Sequence, residues 1–403
     1  MNWFEKAYCR VVQGAFRLAM PFLPYRDPLI LHRVAEVPSV LREAGITRVL
    51  IVTGPTLHGL GMVEPLKGVL TEQGIGYAVY DKTVPNPTVD NVEEARELYV
   101  TSGCMGLIGF GGGSAIDCAK AVGARLARPN KPVSHMRGVL GVMRRTPFTV
   151  AVPTTAGTGS EVTVATVITD HRSGQKFPIS DFPLIPDVAV LDAENTKTLS
   201  AYMTATTGMD ALTHAVEAYI GRSTTRATRR DALDAVRLIF GNLEIACRDG
   251  GNMEARQNML WASFLAGRAF SKSYVGYIHA VAHSLGGRYN VPHGLANAVL
   301  LPIGLELYGK RVYKKLHRLA VAAEVADPQD SHRAGAYKFV AAVRGMNARM
   351  NIPESLSDVR REDVPSMAVH AAAEANPLYP VPVLMNAGEL ERFYVKAAGR
   401  RDG

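Results

Sequence analysis

Up to about residue 192 the apolar positions fall in short β-branched runs separated by amphipathic stretches: residues 48–53 (RVLIVT), 77–80, 105–110 (MGLIGF), 148–152 and 188–191. Strands alternating with helices build a parallel sheet, because parallel neighbours need a long crossover connection. From Asn195 onward the period lengthens to that of helices, as in residues 231–240, 258–270 and 315–325. The pattern predicts an α/β domain over 1–194 built on a Rossmann-like parallel sheet. An all-α domain follows over 195–403, with the boundary near 190–198, where Ser200 can open the next helix. Residues 1–30 form an extension in which Phe4, Tyr8, Val11, Val12, Phe16, Ala19 and Met20 recur at helical spacing. That stripe reads as a helix docked on its own protein or a sister subunit, in preference to a membrane-surface helix.

Two segments at strand ends carry candidate anion-binding chemistry. Gly111, Gly112, Gly113 and Ser114 follow the run 105–110 and open the helical stretch 115–127. Backbone free of side chains can approach a diphosphate, and a helix start points N–H groups at it. Ser114 with Asp117 three residues on resembles a capping box that would fix the helix start. The spacing matches only part of G-x-G-x-x-G and lies on a later strand, and glycines alone are equally a tight turn. The second segment, PTTAGTGSE over residues 153–161, is crowded with hydroxyls able to bond ribose and phosphate oxygens. Alone it reads as turn residues; beside a glycine turn at the same sheet edge it reads as a ligand loop.

A third constellation lies in the helical half. Asp210 and His214 are four apart and project from one helix face. His279 and His283 repeat that spacing on a helix expected to stop at Gly286-Gly287, and His293 follows Pro292 in the next loop. One carboxylate with imidazoles suits a divalent ion such as Fe(II) or Zn(II), and the lack of nearby thiols speaks against a closed structural zinc site. Spacing alone does not choose among the histidines.

Composition narrows the rest. At 403 residues with 47% hydrophobic and 20% charged positions, the chain fits a two-domain globular enzyme, and no apolar run reaches membrane-spanning length. Charged residues and Pro21 and Pro24 interrupt the N-terminus, which does not read as a secretory signal. Cys9, Cys104, Cys118 and Cys247 form no C-x-x-C pair, so a reducing cytoplasm is the expected location. The net charge of +8 is scattered and aromatics are only 7%, so no nucleic-acid partner is expected.

With these motifs in this order, the chain resembles the iron-containing alcohol dehydrogenase family over roughly residues 35–400, most specifically in GMDALTHAVEAY and HAVAHSLGGRYNVPHG. The resemblance implies that Asp210, His214, His279 and His293 hold the metal, with His283 left near the substrate as a proton relay. It implies that Gly112, Gly113, Ser114 and Asp117 hold the diphosphate, that Asn86, Thr154, Thr155, Thr158 and Lys176 line the cofactor cleft, and that the last strand, ending at Leu191, closes it. Many members carry an Asp after the first strand that binds the ribose hydroxyls and repels a 2′-phosphate. The matching residue here is Gly54, which leaves NAD and NADP both open. The implied activity is hydride transfer between a primary alcohol or diol, its aldehyde and NAD(P), with Fe(II), Zn(II) or another divalent ion polarising the oxygen. A homodimer or higher homo-oligomer is expected. The alternative is a metal-dependent lyase or hydrolase on the related dehydroquinate-synthase-like scaffold. The family motifs say nothing of the first thirty residues.

Overall fold

The computed structural model describes residues 1–170 and 175–399. They form two compact units, Pro24–Thr198 and Met1–Leu23 with Leu199–Gly403.

The first unit is α/β. Its strands are β1 (Leu29–Leu31), β2 (Arg48–Val52), β3 (Gly76–Tyr80), β4 (Gly106–Gly111), β5 (Gly138–Val139), β6 (Phe148–Pro153), β7 (Ala165–Asp170), β8 (Gln175–Ser180) and β9 (Val188–Val190). Six of them form one parallel sheet in the order β1-β9-β6-β4-β2-β3, with β4 at its centre between β6 and β2. Val49 and Ile51 pack on one face with Leu41, Leu66 and Leu70, while Leu50 and Val52 pack on the other with Leu107, Ala119 and Val122. Burial on both faces is why RVLIV is apolar throughout instead of alternating.

All five strands legible in the sequence belong to this sheet. The edge strand β1 is three residues long, too short for periodicity to register. A second sheet, β5-β8-β7, was also not foreseen: β7 and β8 pair antiparallel from Ala165↔Ser180 to Asp170↔Gln175.

The helix Gly113–Ala127 corrects one expectation. Its cap is Gly112, no side chain caps it, and Ser114 already lies inside the first turn. The Ser114 hydroxyl instead accepts from the Asn86 N–H at 3.3 Å, and the Asp117 carboxylate turns away to Ser160 and Val167.

The second unit is helical, as the sequence periodicity predicted. Ser200 does open a helix, Ala201–Ile220, accepting from the Met203 N–H at 3.2 Å. Helices Arg226–Arg248, Met253–Ser273, Tyr277–Tyr289 and His293–Tyr308 follow. Tyr277–Tyr289 runs through Gly286-Gly287 and ends at Asn290, which takes the left-handed φ of 54° that asparagine tolerates. His293 is accordingly not in a loop but is the first residue of the next helix, after Pro292.

The N-terminal helix Trp3–Ala19 belongs to this unit and not to the α/β half in which the sequence placed it. The reason is specific anchoring: Arg10 donates to the Val381 carbonyl at 2.8 Å and Gln13 to the Tyr379 carbonyl at 2.8 Å. No helix among the described residues is long and apolar enough to cross a membrane.

Candidate metal centre and nucleotide-binding segments

Within the helical unit, Ala201–Ile220 is buried from Gly208 to its end and presents Asp210, His214 and Glu217 along one face. A carboxylate buried on an apolar helix is costly unless partnered. Asn297 Nδ2 donates to Asp210 Oδ1 at 2.6 Å, while His293 Nε2 and His279 Nε2 lie 3.4 and 3.8 Å from that same oxygen. The ligand atoms of Asp210, His279 and His293 all fall within 4.8 Å of one another.

His279 is held in a defined tautomer by Glu217, to which the sequence reading gave no role. Its Nδ1 lies 2.6 Å from Glu217 Oε2, and that carboxyl group also accepts from the N–H groups of Gly276 at 2.8 Å and Ile278 at 3.0 Å. With Nδ1–H donated to Glu217, the lone pair sits on Nε2, which is buried and has no hydrogen-bond partner. Burial, followed by the nearby His293 and His283, holds the His279 pKa well below its usual value, which favours the neutral ring, the form able to bind a cation. Burial likewise raises Glu217 to about 7 and lifts Asp210, which His214 and Asn297 pull the other way. A neutral imidazole with an unpartnered buried lone pair, a second imidazole and a carboxylate facing it fit a first-row divalent ion, and the carboxylate behind the imidazole is the usual outer support of such a ligand.

His214 stands apart from the trio. Its Nδ1 is 4.0 Å from Asp210 Oδ2, and its ring is stacked between His279 at 4.4 Å and Phe270 at 4.1 Å. His283 lies at the edge of the group, stacked on His293 at 5.1 Å, with Nδ1 2.7 Å from Glu374 Oε1. Burial would raise Glu374, but the charge and hydrogen bond of His283 and the donated hydroxyl of Tyr379 outweigh it and hold the pKa below the usual value. Glu217 had a sequence signal in sharing the Asp210 face, and Asn297 follows His293 by four residues. Glu374, 91 residues from His283, had none.

Within the α/β unit the glycine turn and the hydroxyl loop interlock. A Cβ on Gly113 would stand 2.8 Å from Thr158 Cγ2, and one on Gly112 3.4 Å from Thr155, so these two positions admit the loop because they lack side chains. The Thr154 N–H donates to the Gly111 carbonyl at 3.0 Å, and Asn86, at φ 59°, is tied to Ser114. The predicted residues Asn86, Gly112, Gly113, Ser114, Thr154, Thr155 and Thr158 are thus brought together at the C-terminal ends of β4 and β6.

Asp117 lies half-buried beside them but spends its carboxylate on Ser160 Oγ at 2.5 Å and the Val167 N–H at 2.8 Å. Three residues on, Lys120 Nζ reaches the carbonyls of Ser160 and Thr163, both at 2.9 Å. Lys176 lies on β8 opposite Thr169, exposed, and Leu191 is a buried residue just past β9 whose N–H donates to Leu31. Gly54 caps the short helix Pro55–Gly59 at the end of β2, where a Cβ would meet the Thr83 carbonyl at 3.1 Å.

Both units match known proteins. Residues 31–193 match the model of the iron-containing alcohol dehydrogenases, and residues 204–398 match the model of the C-terminal region of the Fe-containing alcohol dehydrogenase family. The chain is 37% identical over 371 residues to the 1,3-propanediol dehydrogenase of Klebsiella pneumoniae, covering 90% of this chain and 93% of that protein. It is 34% identical over 355 residues to the NAD-dependent methanol dehydrogenase of Bacillus methanolicus, covering 87% and 92%. Among solved structures, a 1,3-propanediol oxidoreductase superposes with a TM-score of 0.89 at 34% identity, over 93% of this chain and 99% of that one. The helical unit with its carboxylate–imidazole group and the α/β unit with its glycine turn are each matched along nearly their full length, and the chain belongs to the iron-containing alcohol dehydrogenase family.

Proposed function

We propose that the protein interconverts a primary alcohol or diol and its aldehyde with NAD or NADP, using a divalent metal, Fe(II) first, held by Asp210, His279 and His293, with His214 as the fourth ligand. The observation that carries this reading is the His279 lone pair, buried, without a hydrogen-bond partner and aimed into the same space as Asp210 and His293. Bound there, the ion supplies Lewis-acid polarisation of a hydroxyl or carbonyl oxygen, and the nicotinamide supplies the hydride acceptor or donor.

The chain's own residues do the remainder. Glu217 fixes the His279 tautomer, and Asn297 fixes the Asp210 carboxylate. His283, oriented by Glu374, holds a proton at the edge of the group and passes it to or from the substrate oxygen. The glycine turn and Thr155 and Thr158 cradle the diphosphate. Gly54 brings no carboxylate to repel a 2′-phosphate, so both dinucleotides are substrates of the same site. The four free thiols, three of them buried, support a reducing cytoplasmic location.

Anaerobic purification with elemental analysis, followed by a panel of primary alcohols and diols read at 340 nm with each dinucleotide, tests this. Stoichiometric metal and alcohol-dependent NAD(P)H formation are expected; a metal-free preparation with full activity contradicts it. Assembly as a homodimer or higher homo-oligomer belongs to the same reading and is measured by light scattering.

A further inference from the structure

The first thirty residues lie outside both family matches, yet the helix they contain, Trp3–Ala19, is tied to the support of His283. That support starts in the last turn of the helix Val364–Ala375. There Glu374 Oε1 lies 2.7 Å from His283 Nδ1 and accepts from the Tyr379 hydroxyl at 2.8 Å. One oxygen serves both groups, so the place of Tyr379 bears on the place of His283. Tyr379 belongs to the segment 376–386, which joins that helix to Ala387–Ala397. Carbonyls in such a connection need donors from elsewhere. The Arg222 N–H supplies one, to Pro380 at 2.7 Å, and the N-terminal helix supplies more.

On that helix Arg10, Gln13 and Phe16 recur every three residues and share one side. Gln13 is 3% exposed. Its amide oxygen accepts from Arg10 Nη1 at 2.7 Å, which leaves the amide nitrogen to donate to the carbonyls of Tyr379 at 2.8 Å and Pro377 at 3.2 Å. Arg10 itself donates to the carbonyls of Val381 at 2.8 Å and Pro382 at 3.3 Å. Phe16 meets the Tyr274 ring edge-on at 5.0 Å, and the Tyr274 and Tyr379 rings lie 6.2 Å apart. Tyr274 has a left-handed φ of 59°, which a bulky side chain keeps only where its surroundings hold it. Three residues further on begins the helix Tyr277–Tyr289 that carries His279 and His283. The N-terminal helix therefore holds Tyr379 twice, at its carbonyl and, through Tyr274, at its ring.

We propose that Gln13 and Arg10 are positioning residues for the alcohol–aldehyde reaction: they fix the segment 377–382, which sets Tyr379, and Tyr379 with Glu374 sets the His283 ring. The inference rests on the reading of His283 as the proton relay. A merely structural role predicts loss of stability or of bound metal. A positioning role predicts a loss confined to the chemical step, and only while His283 is present.

The test uses the full-length, metal-loaded protein. Gln13→Met keeps the length of the side chain and removes both donors. Its kcat should fall about tenfold, with metal stoichiometry, KM for the alcohol and ADP-ribose affinity at parent values. Hydrogen exchange over 376–386, where the Tyr379 and Val381 N–H groups bond the carbonyls of Ala375 and Tyr379, should quicken at least about tenfold. Tyr379→Phe should cost a similar factor in kcat, and the two together no more than either alone. On a His283→Ala background Gln13→Met should cost nothing further. Arg10→Lys, which keeps the cation but not the forked donor, should lose about threefold in the same way, and it carries the test if Gln13→Met does not fold. Parent kcat in these variants, an equal loss on the His283→Ala background, or a loss that follows metal content overturns the proposal. Parent turnover in His283→Ala alone sinks instead the relay reading beneath it.

Discussion

The two units carry candidate ligand sites built in opposite ways. In the helical unit the proposed site is made of side chains: lone pairs of Asp210, His279 and His293, each steered by a neighbour. In the α/β unit it is made by leaving side chains out, so that Gly112 and Gly113 let Thr155 and Thr158 close over a helix start. A metal ion needs directed donors of the right softness, whereas a diphosphate is satisfied by backbone N–H groups and a favourable helix end. The difference predicts how each site fails: one abruptly with a single donor, the other gradually with shape.

The most severe break is expected at His279. His279→Ala removes the buried lone pair and leaves Glu217 and Asp210 without their shared partner. Bound metal and turnover should vanish together, to background, while dinucleotide affinity of the α/β unit stays at the parent value. A variant with stoichiometric metal and normal turnover would sink the ligand assignment. His283→Ala is next. It should keep the metal and lose about 10²- to 10⁴-fold in turnover, the usual contribution of a positioned acid or base. Elemental analysis and kcat measured on one preparation separate the two outcomes.

The same contrast explains what could be read in advance. Asp210 with His214 and His279 with His283 announce themselves because i, i+4 pairs of ligating residues on an apolar helix are chemically conspicuous, and His293 because it follows the second pair by ten residues. Their supports do not: Glu374 reaches His283 across 91 residues, and only the packed fold reveals it. In the α/β unit β2, β4, β6 and β9 were legible because a strand buried on both faces is continuously apolar. The β7–β8 hairpin and three-residue β1 escaped, since short mixed runs such as ATVITD carry no clear period. Asp117 is an instructive miss. Three residues after Ser114 it satisfied the spacing of a capping box, but its carboxylate is drawn to Ser160 and Val167, leaving the helix start to Gly112. His293 was likewise placed in the loop after Pro292, when Pro292 stands immediately before a helix that His293 opens.

A gentler perturbation of the metal side sharpens the comparison. Glu217→Gln keeps the shape of the support, yet an amide cannot accept from Gly276, Ile278 and His279 with both of its heavy atoms. Metal affinity should fall about 10- to 100-fold, the common effect of losing an outer partner of a ligating imidazole. Competition with a chelator measures it, and an unchanged dissociation constant would demote Glu217 to a packing residue. The matching perturbation of the phosphate side is Gly113→Ala, whose new Cβ would press on Thr158 at 2.8 Å. Binding of ADP-ribose, followed by calorimetry, should weaken about tenfold, equivalent to about 1.4 kcal/mol, with metal content untouched. Pairing it with Thr158→Ala should restore part of the loss; no recovery would place the cost elsewhere.

The smallest effect concerns buried charge in the α/β unit that serves the loop and not the ligand. Glu161 is raised from 4.5 to about 7 by burial, against its own backbone hydrogen bond and the pull of Lys120. Lys120 is lowered from 10.5 to about 8, again by burial first, against Asp117 and Glu161. Between about pH 4.5 and 7 the folded chain therefore keeps a proton on Glu161 that the unfolded chain has released, so this group's contribution to stability falls as pH rises through that window. Between about pH 8 and 10.5 the unfolded chain holds a proton that Lys120 has shed, and the contribution of that group rises with pH. Glu161→Gln should flatten the acidic slope of Tm against pH and leave a rising alkaline limb. Because Gln also removes a neighbour that favours charged Lys120, that limb should begin at a lower pH than in the parent. Parallel Tm profiles for parent and variant from pH 5 to 7 would show that Glu161 is ionised in the folded state and paired with Lys120.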